Sequence, residues 1–413
     1  MIEGKKLRIL YIATSFPEPT SGATIYTDLA EALNESGHEI IVAVSEQARN
    51  KQHSQLHQER GFYVLRIVTG NYYDVGFIEK GITTLKIPVL MRLGIKKYLG
   101  KRKFDLVLFE APPVTNAGLV AWAKKQFKCK AYLMLKDIFP QNAVDLGIIK
   151  LNGLLFKYFK VKEKNLYKTA DFIGCMSSAN KQYIINHNPW LKPDKIEVFP
   201  NTKKIPNLIH INSFPIRDQY NIPGGACVFL FGGNMGRPQC IDLLCETVKG
   251  CKEESGIFFL FIGRGTDRYK LERTIKENSI NNAHVIENLP RDEYERISKE
   301  CDVGLIVLDP RFTIPNYPSR ILSYMEYGKP ILAATDKATD INHLIEEAQC
   351  GEWVWSGDVQ GFIDKIKEMA KSDRLYDMGH NGRIYMETKF DVMYSVEILE
   401  NHFKQRGKVN VQE

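Results

Sequence analysis

No stretch of the chain approaches the roughly 18 uninterrupted apolar residues that a membrane-spanning helix needs. The richest run, Ile-Phe-Phe-Leu-Phe-Ile-Gly at 257–263, stops after seven. The opening residues, MIEGKKLRILYIATSF, lack the longer apolar segment and small-residue cleavage site of a signal peptide, so a cytoplasmic protein is expected. Eight cysteines, at 129, 175, 227, 240, 245, 251, 301 and 350, form no Cys-x-x-Cys pair. That scatter fits neither zinc-site spacing nor a disulfide framework and predicts free thiols in a reducing compartment. There is no Asp-x-Asp, and His38, His53, His57, His187 and His284 fall in no metal-ligand spacing, so no metal is expected. Neither a 20–50-residue period nor a low-complexity tract occurs, which sets arrays and solenoids aside.

What the chain does have is bulk and alternation. Its 413 residues are 44% apolar and 25% charged, a composition that folds, and at roughly 150 residues per domain it allows two or three domains. Strand-like runs (LRILYIAT, HEIIVAVS, FDLVLFE, KAYLMLK, DFIGCMS, KIEVFP) alternate with helix-length amphipathic stretches, the pattern of a parallel α/β sheet. A Pro-, Asn- and Gly-rich segment after Pro200 reads as a linker. A second series then begins at CVFLFGG and continues through IFFLFIGRG, AHVIENLP, DVGLIVLD, KPILAATD and GEWVWSG. Helices are predicted at about 240–253, 267–279, 291–300, 319–328, 340–348 and 358–371 from the same alternation. Two doubly wound units result, and ligands of such sheets bind at the strands' carboxyl ends.

Charge is unevenly spread. Residues 1–200 carry 29 Lys+Arg against 18 Asp+Glu, while residues 201–413 carry 27 against 31. Residues 80–168 alone hold 19 against 5. An anionic membrane surface is the implied partner, with Leu90, Met91, Leu154, Leu155, Phe156 and Phe159 as apolar neighbours able to insert. The plainer reading is two ordinary core-facing helices with solvated lysines.

Three motifs carry chemistry. FLFGGNMGRPQ joins a buried strand to a helix through Gly232, Gly233 and Gly236, with Asn234, Arg237 and Gln239 between them. FLFIGRGTD places Gly263, Arg264 and Gly265 after a second strand. Glycines there let backbone N–H groups approach a phosphate at a helix N-terminus. In DVGLIVLDPRFTIPNYPSRILSYMEYGKPIL a strand ends at Asp309, Ser319 is placed to cap a helix ending before Gly328, and Glu326 returns almost two turns later.

The stretch PSRILSYMEYGKPIL resembles the nucleotide-sugar signature of family 4 glycosyltransferases, in the Pro-Ser-Lys/Arg subgroup that makes bacterial O-antigen and capsule polysaccharides. SFPEPTSGATIYTDLAEALNESGHEIIVAV is similar to that family's acceptor-domain start, and GRIYMETKFDVMYSVEILENHF to its final helix. The resemblance implies a GT-B fold of two Rossmann-like domains facing a central cleft. Residues 1–205 would form the acceptor domain, residues 206–389 the donor domain, and residues 390–413 would cross back onto the first. It implies a retaining, metal-independent hexosyl- or N-acetylhexosaminyl-transferase without a cofactor. A sugar would pass from a nucleoside diphosphate donor, UDP-linked, to a lipid-linked or glycan acceptor at the inner membrane face.

On this reading Glu326 takes the ribose hydroxyls, and the backbone of Ser319, Arg320 and Ile321 beside Pro318 cradles the diphosphate. Gly233, Asn234, Gly236, Gln239, Gly263 and Arg264 lie against phosphate or sugar, and Ile286 to Asn288 near the base. Arg237, Arg264 and Arg320 stabilise the departing diphosphate. Asp137, after KAYLMLK, faces the reacting carbon or else caps its own loop, and Ser21-Gly22 stands for the family's glycine pair on the acceptor side. The family's Glu-x7-Glu pair lacks its first member, because Pro318 occupies that position; Asp309 and Arg311 are the substitutes at hand. Three rivals remain: a nucleotide-sugar epimerase, a catalytically silent nucleotide-sugar-binding subunit, and a nucleic-acid binder, the last without any recognised module.

Overall fold

The computed structural model describes residues 6–50, 53–71, 76–206, 216–287 and 289–404. The first sheet contains β1 (Arg8–Ala13), β2 (Glu39–Glu46), β3 (Gln55–Glu59), β4 (Phe62–Val68), β5 (Leu106–Ala111), β6 (Lys130–Leu135), β7 (Phe172–Cys175) and β8 (Ile196–Val198). Their order is β3-β4-β2-β1-β5-β6-β7-β8, parallel except for the β3–β4 hairpin. That hairpin escapes the strand-helix alternation read from the sequence. It turns at Arg60-Gly61, both at positive φ (50° and 87°), the geometry that two-residue hairpin loops require.

The second sheet contains β9 (Cys227–Gly232), β10 (Ile257–Ile262), β11 (Ala283–Ile286), β12 (Val303–Val307), β13 (Ile331–Thr335) and β14 (Gly351–Trp355). It is parallel throughout, in the order β11-β10-β9-β12-β13-β14. The central strands β5, β9, β10, β12 and β13 are buried at every residue. Helices cover both faces, so strand side chains on either side meet apolar neighbours and, apart from Glu110 in β5, the strands read as hydrophobic runs.

Over the first sheet, Met91, Ile95 and Leu99 of the helix Phe77–Leu99 share one core with Leu119 and Val120 of Ala117–Phe127 and Leu166 of Leu154–Thr169. On the opposite face Leu29 and Leu33 of Ile25–Glu35 pack with Val392, Val396 and Leu399 of Val392–Asn401. The C-terminal helix therefore does cross back onto the first domain. It is separate from Leu375–Lys389, because the chain breaks at Phe390 and the Asp391 side chain caps the new helix through Met393 N–H. The six predicted helices of the second half occur at Ile241–Gly250, Arg268–Glu277, Arg291–Glu300, Arg320–Glu326, Ile341–Ala348 and Val359–Met369.

The basic region divides in a way its composition does not show. Met91 is 1% exposed and belongs to the core, and the half-buried Phe159 stacks edge-on against Phe139 at 4.8 Å. Neither is free to insert anywhere. The outward stripe of Phe77–Leu99 is instead Ile82, Leu85, Val89 and Leu93, joined on the later helix by Leu154, Leu155 and Val161. Among the described residues no helix is long and apolar enough to cross a membrane.

One loop ties the halves together. Phe312 and Ile314, which follow β12, are buried in the core of the first sheet. Thr313 N–H donates to Asp145 Oδ2 at 2.8 Å, and Asn180 Nδ2 donates to Pro315 O at 3.0 Å.

Candidate functional site

A cleft of about 1200 Å³ opens between the two sheets. The first domain lines it with Ser21, Thr24, Tyr26, Asp28, Lys136, Met176, Asn201 and Lys203. The second supplies Gly232, Gly233, Asn234, Gln239, Gly263, Arg264, Tyr294, Pro318, Ser319, Arg320, Ser323 and Tyr327. Gly232 ends β9 and Leu308 follows β12, the two strands between which the order of the second sheet reverses. The cleft therefore meets that sheet at its topological switch point, where open α/β sheets bind ligands.

The two glycine turns on this wall are one structure. Gly233 N–H donates to Ile262 O at 2.8 Å, Met235 N–H to Arg264 O at 2.7 Å, and Asp267 N–H to Met235 O at 2.9 Å. Gly263 sits at φ +151°, and a Cβ there would lie 2.8 Å from the carbonyl carbon of Gly233 and closer still to its oxygen. The second turn needs Gly263 and Gly265 because the backbone of Gly233 and Met235 in the first turn fills the space. The arrangement holds Gly233, Asn234, Gly263 and Arg264 at the cleft surface. Asn234 is oriented by Gln239, whose Oε1 accepts from Asn234 Nδ2 at 3.0 Å and from Gly236 N–H at 3.3 Å.

Arg320 lies under these turns. Its guanidinium carbon is 4.4 Å from the Phe231 ring centroid, and Nη1 is buried without a hydrogen-bond partner. Burial lowers its pKa. Arg320 lines the cleft, and a cation there with an unused donor is matched to an anion. Tyr324 fixes the same corner, since its hydroxyl lies 3.0 Å from Leu230 O and accepts Gly232 N–H at 3.3 Å.

Several residues expected in the site lie elsewhere. Glu326 is at a suitable angle about its helix, but the linker at Lys203 lies over it and Lys203 Nζ takes its carboxylate. The Glu326 side chain is 4% exposed, and Arg383 Nη1 holds its carbonyl at 2.7 Å. Ser323, almost one turn earlier, faces the cleft from the same helix, as do Arg320 and Leu322. Ile321 is fully buried, with its N–H turned to Pro318 O at 3.3 Å, so it offers no free donor to a diphosphate. Ser319 occupies the N-cap position, yet its side chain makes no capping bond.

Arg237 is exposed and outside the cleft lining, because the short turn Arg237–Gln239 sends Gln239 inward and Arg237 outward. Gly236 is buried beneath that turn. Ile286 packs into the core beside Leu289 and Tyr294 rather than lining the cleft, and Asn288 lies outside the described residues. Asp309 is closed into a two-point pair with Arg311, at 2.8 and 2.7 Å, which removes both as substitutes for the missing carboxylate.

On the first-domain wall Ser21 lines the cleft while Gly22, at φ +99°, turns the loop and gives its carbonyl to Arg60. Asp137 is directed away. Its Oδ1 accepts Ile138 N–H at 2.8 Å and its Oδ2 takes Asn142 Nδ2. Burial pushes its pKa up to about 6. It caps its own loop, and the neighbouring Lys136 faces the cleft instead, as side-chain alternation past a strand end dictates. Lys136, Asn201, Lys203, Ser323, Tyr294 and Tyr327 were not singled out from the sequence. Only Lys136 carried a local signal, through that alternation. Among the described residues no group of three or more His, Cys, Asp or Glu is placed to hold a metal ion.

Two doubly wound sheets facing one cleft, with a C-terminal helix returning to the first, constitute the GT-B fold. HepE of Anabaena, solved with UDP and glucose, superposes with a TM-score of 0.67 at 15% identity, over 96% of this chain and 99% of that one. WaaG, a glycosyltransferase involved in lipopolysaccharide biosynthesis, does so with a TM-score of 0.67 at 14% identity, over 97% and 100%. The family model Glycosyltransferase Family 4 matches residues 22–202, and Glycosyl transferases group 1 matches residues 212–384. In sequence the chain is 25% identical over 306 residues to the probable glycosyltransferase WbjE of Pseudomonas aeruginosa, covering 72% of this chain and 73% of that protein. The chain belongs to the family 4 glycosyltransferases, enzymes that use nucleotide-sugar donors.

Proposed function

We propose that the protein transfers a sugar from a UDP-sugar to a lipid-linked or glycan acceptor in bacterial surface-polysaccharide synthesis, retaining anomeric configuration and using no metal. The observation that carries this reading is the cleft wall built from two interlocked glycine turns over the partnerless Nη1 of Arg320. It brings the Arg320 guanidinium to the wall where a diphosphate would sit, and Arg264, 3.7 Å from the exposed Glu287 carboxylate, stands beside it. UDP in the HepE structure and the involvement of WaaG in lipopolysaccharide biosynthesis support the donor and the pathway class.

In the reaction the bond from the anomeric carbon to the diphosphate oxygen breaks, and the acceptor oxygen bonds to the same face. The acceptor's proton passes to the leaving phosphate oxygen. Arg264 and Arg320 hold the charge that develops there, which is electrostatic stabilisation of a leaving group. Neither Glu326 nor Asp137 is needed for a step.

The decisive experiment is a panel of nucleotide sugars screened by calorimetry and turnover with a membrane-extract acceptor, in excess chelator. UDP binding with sugar transfer in chelator is expected. Turnover that disappears on chelation and returns with a divalent ion would refute the metal-free reading, and donor binding without transfer would favour a silent subunit. The exposed apolar stripe of Phe77–Leu99, flanked by Lys86, Arg92, Lys96 and Lys97, supports docking on an anionic membrane. Such docking predicts sedimentation with anionic vesicles that falls as salt rises.

A further inference from the structure

The two walls of the cleft differ in how their charges are matched. On the first-domain wall Lys203 is paired with Glu326, and the Asp28 carboxylate accepts Lys204 N–H at 3.2 Å. Lys136 is different. Its ammonium donates to the neutral Asn201 Oδ1 at 2.8 Å and stands 5.5 Å from the Phe199 ring centroid. Among the described residues no carboxylate comes within 4 Å of it. Asn201 is itself buried, with its Nδ2 3.6 Å from Met176 Sδ, so the acceptor that orients Lys136 is held in place.

The nearest source of negative field is Glu110 on β5. That residue is buried and occupied, its Oε1 accepting Thr14 N–H at 2.8 Å and its Oε2 lying 3.3 Å from Tyr11 OH. An ammonium has three N–H donors, and Asn201 uses one. A half-buried cation facing a cleft with donors to spare is costly unless an anion arrives. Burial has already lowered the lysine's pKa to about 8, and a bound anion would raise it again.

We propose that Lys136, oriented by Asn201, binds an oxyanion carried by the acceptor. The transferase would thus select acceptors bearing a phosphoryl or carboxylate group close to the reacting hydroxyl. This rests on the donor reading above, in which the diphosphate occupies the opposite wall. Ser21, Thr24 and Tyr26, on the same wall as Lys136, supply hydroxyls for the rest of the acceptor.

The test uses the full-length protein saturated with UDP, so that the donor site is filled, and titrates inorganic phosphate and, separately, acetate. The parent should bind one of the two, and which one names the group. Lys136→Met should weaken that binding about tenfold or more, the range for a lost charge-assisted hydrogen bond, while UDP affinity stays within about twofold. Lys136→Arg should retain anion binding. Asn201→Asp should abolish it, because an internal carboxylate then occupies the lysine, and this variant keeps the cation paired should Lys136→Met fold poorly. UDP binding by the parent with no anion site that depends on Lys136 would overturn the proposal alone. Absence of UDP binding would overturn the donor reading and the proposal with it.

Discussion

Replacing Gly263 with alanine asks whether the two glycine turns really form one unit. The new Cβ would stand 2.8 Å from the carbonyl carbon of Gly233, where an ordinary carbon–carbon contact is about 3.5 Å or more, so one turn must move by at least about 0.7 Å. Overpacking of this kind costs about 1–3 kcal/mol. The backbone is also held at φ +151°, a region open essentially to glycine, which adds about 1–3 kcal/mol. The expected total, about 2–6 kcal/mol, is a large part of the stability of a typical domain.

Urea denaturation of the parent and of Gly263→Ala measures the cost. Gly256→Ala is the control, since it starts the same strand from the other end and a Cβ there meets nothing within 4 Å. That control should stay within about 0.5 kcal/mol of the parent. If Gly263→Ala folds at all, the displaced turn carries Gly233, Asn234 and Arg264 with it, and UDP affinity should fall alongside stability. Parent-like stability together with parent-like UDP affinity would refute the interlocked wall.

Three other outcomes follow from the same structure. Gly118 is exposed in the helix Ala117–Phe127, and a methyl added there would meet nothing within 4 Å, so Gly118→Ala should stabilise the protein by about 0.5–1 kcal/mol in urea titrations; a loss would mean the helix is not formed there. Lys203 and Glu326 should show a coupling of about 1–3 kcal/mol in a double-mutant cycle with Lys203→Met and Glu326→Gln, and coupling below about 0.3 kcal/mol would show that the carboxylate is free to meet a ligand. Asp137 has its pKa raised to about 6 by burial, so between pH 4 and 6 the folded state binds more protons than the unfolded state, and stability falls as pH rises, by up to about 1.4 kcal/mol per unit. Asp137→Asn should remove that slope, gaining on the parent from pH 4 to 7 while turnover stays within about twofold; a pH-independent difference or a large loss of turnover would defeat the capping role.

The sequence discloses what depends on periodicity and conceals what depends on two distant segments meeting. Strands β9, β10, β12 and β13 of the second sheet follow from unbroken apolar runs such as IFFLFIG, because a strand covered on both faces has no polar position to confuse the reading. The β3–β4 hairpin escapes such a reading because His57, Gln58 and Glu59 dilute its pattern, although Arg60-Gly61 marks the turn. In the site, the helical phase brings Glu326 to the correct side of its helix. Nothing local to residues 319–328 tells that Lys203, 123 residues earlier, lies over it.

The same limit applies twice more, in opposite directions. By sequence Gly233 and Gly263 belong to two weak, independent turns, whereas the backbone of the first, packed against the second, is what makes glycine indispensable at 263. Asp137 has the residue type of a reactive carboxylate, but the next five residues fold back to occupy it, leaving Lys136 as the group presented to the cleft. Residue type therefore locates a side chain at the cleft where backbone geometry presents it, as for Arg264 and Arg320. It fails where a neighbour across the domain boundary, or a turn within the loop, has already taken up the side chain's charge.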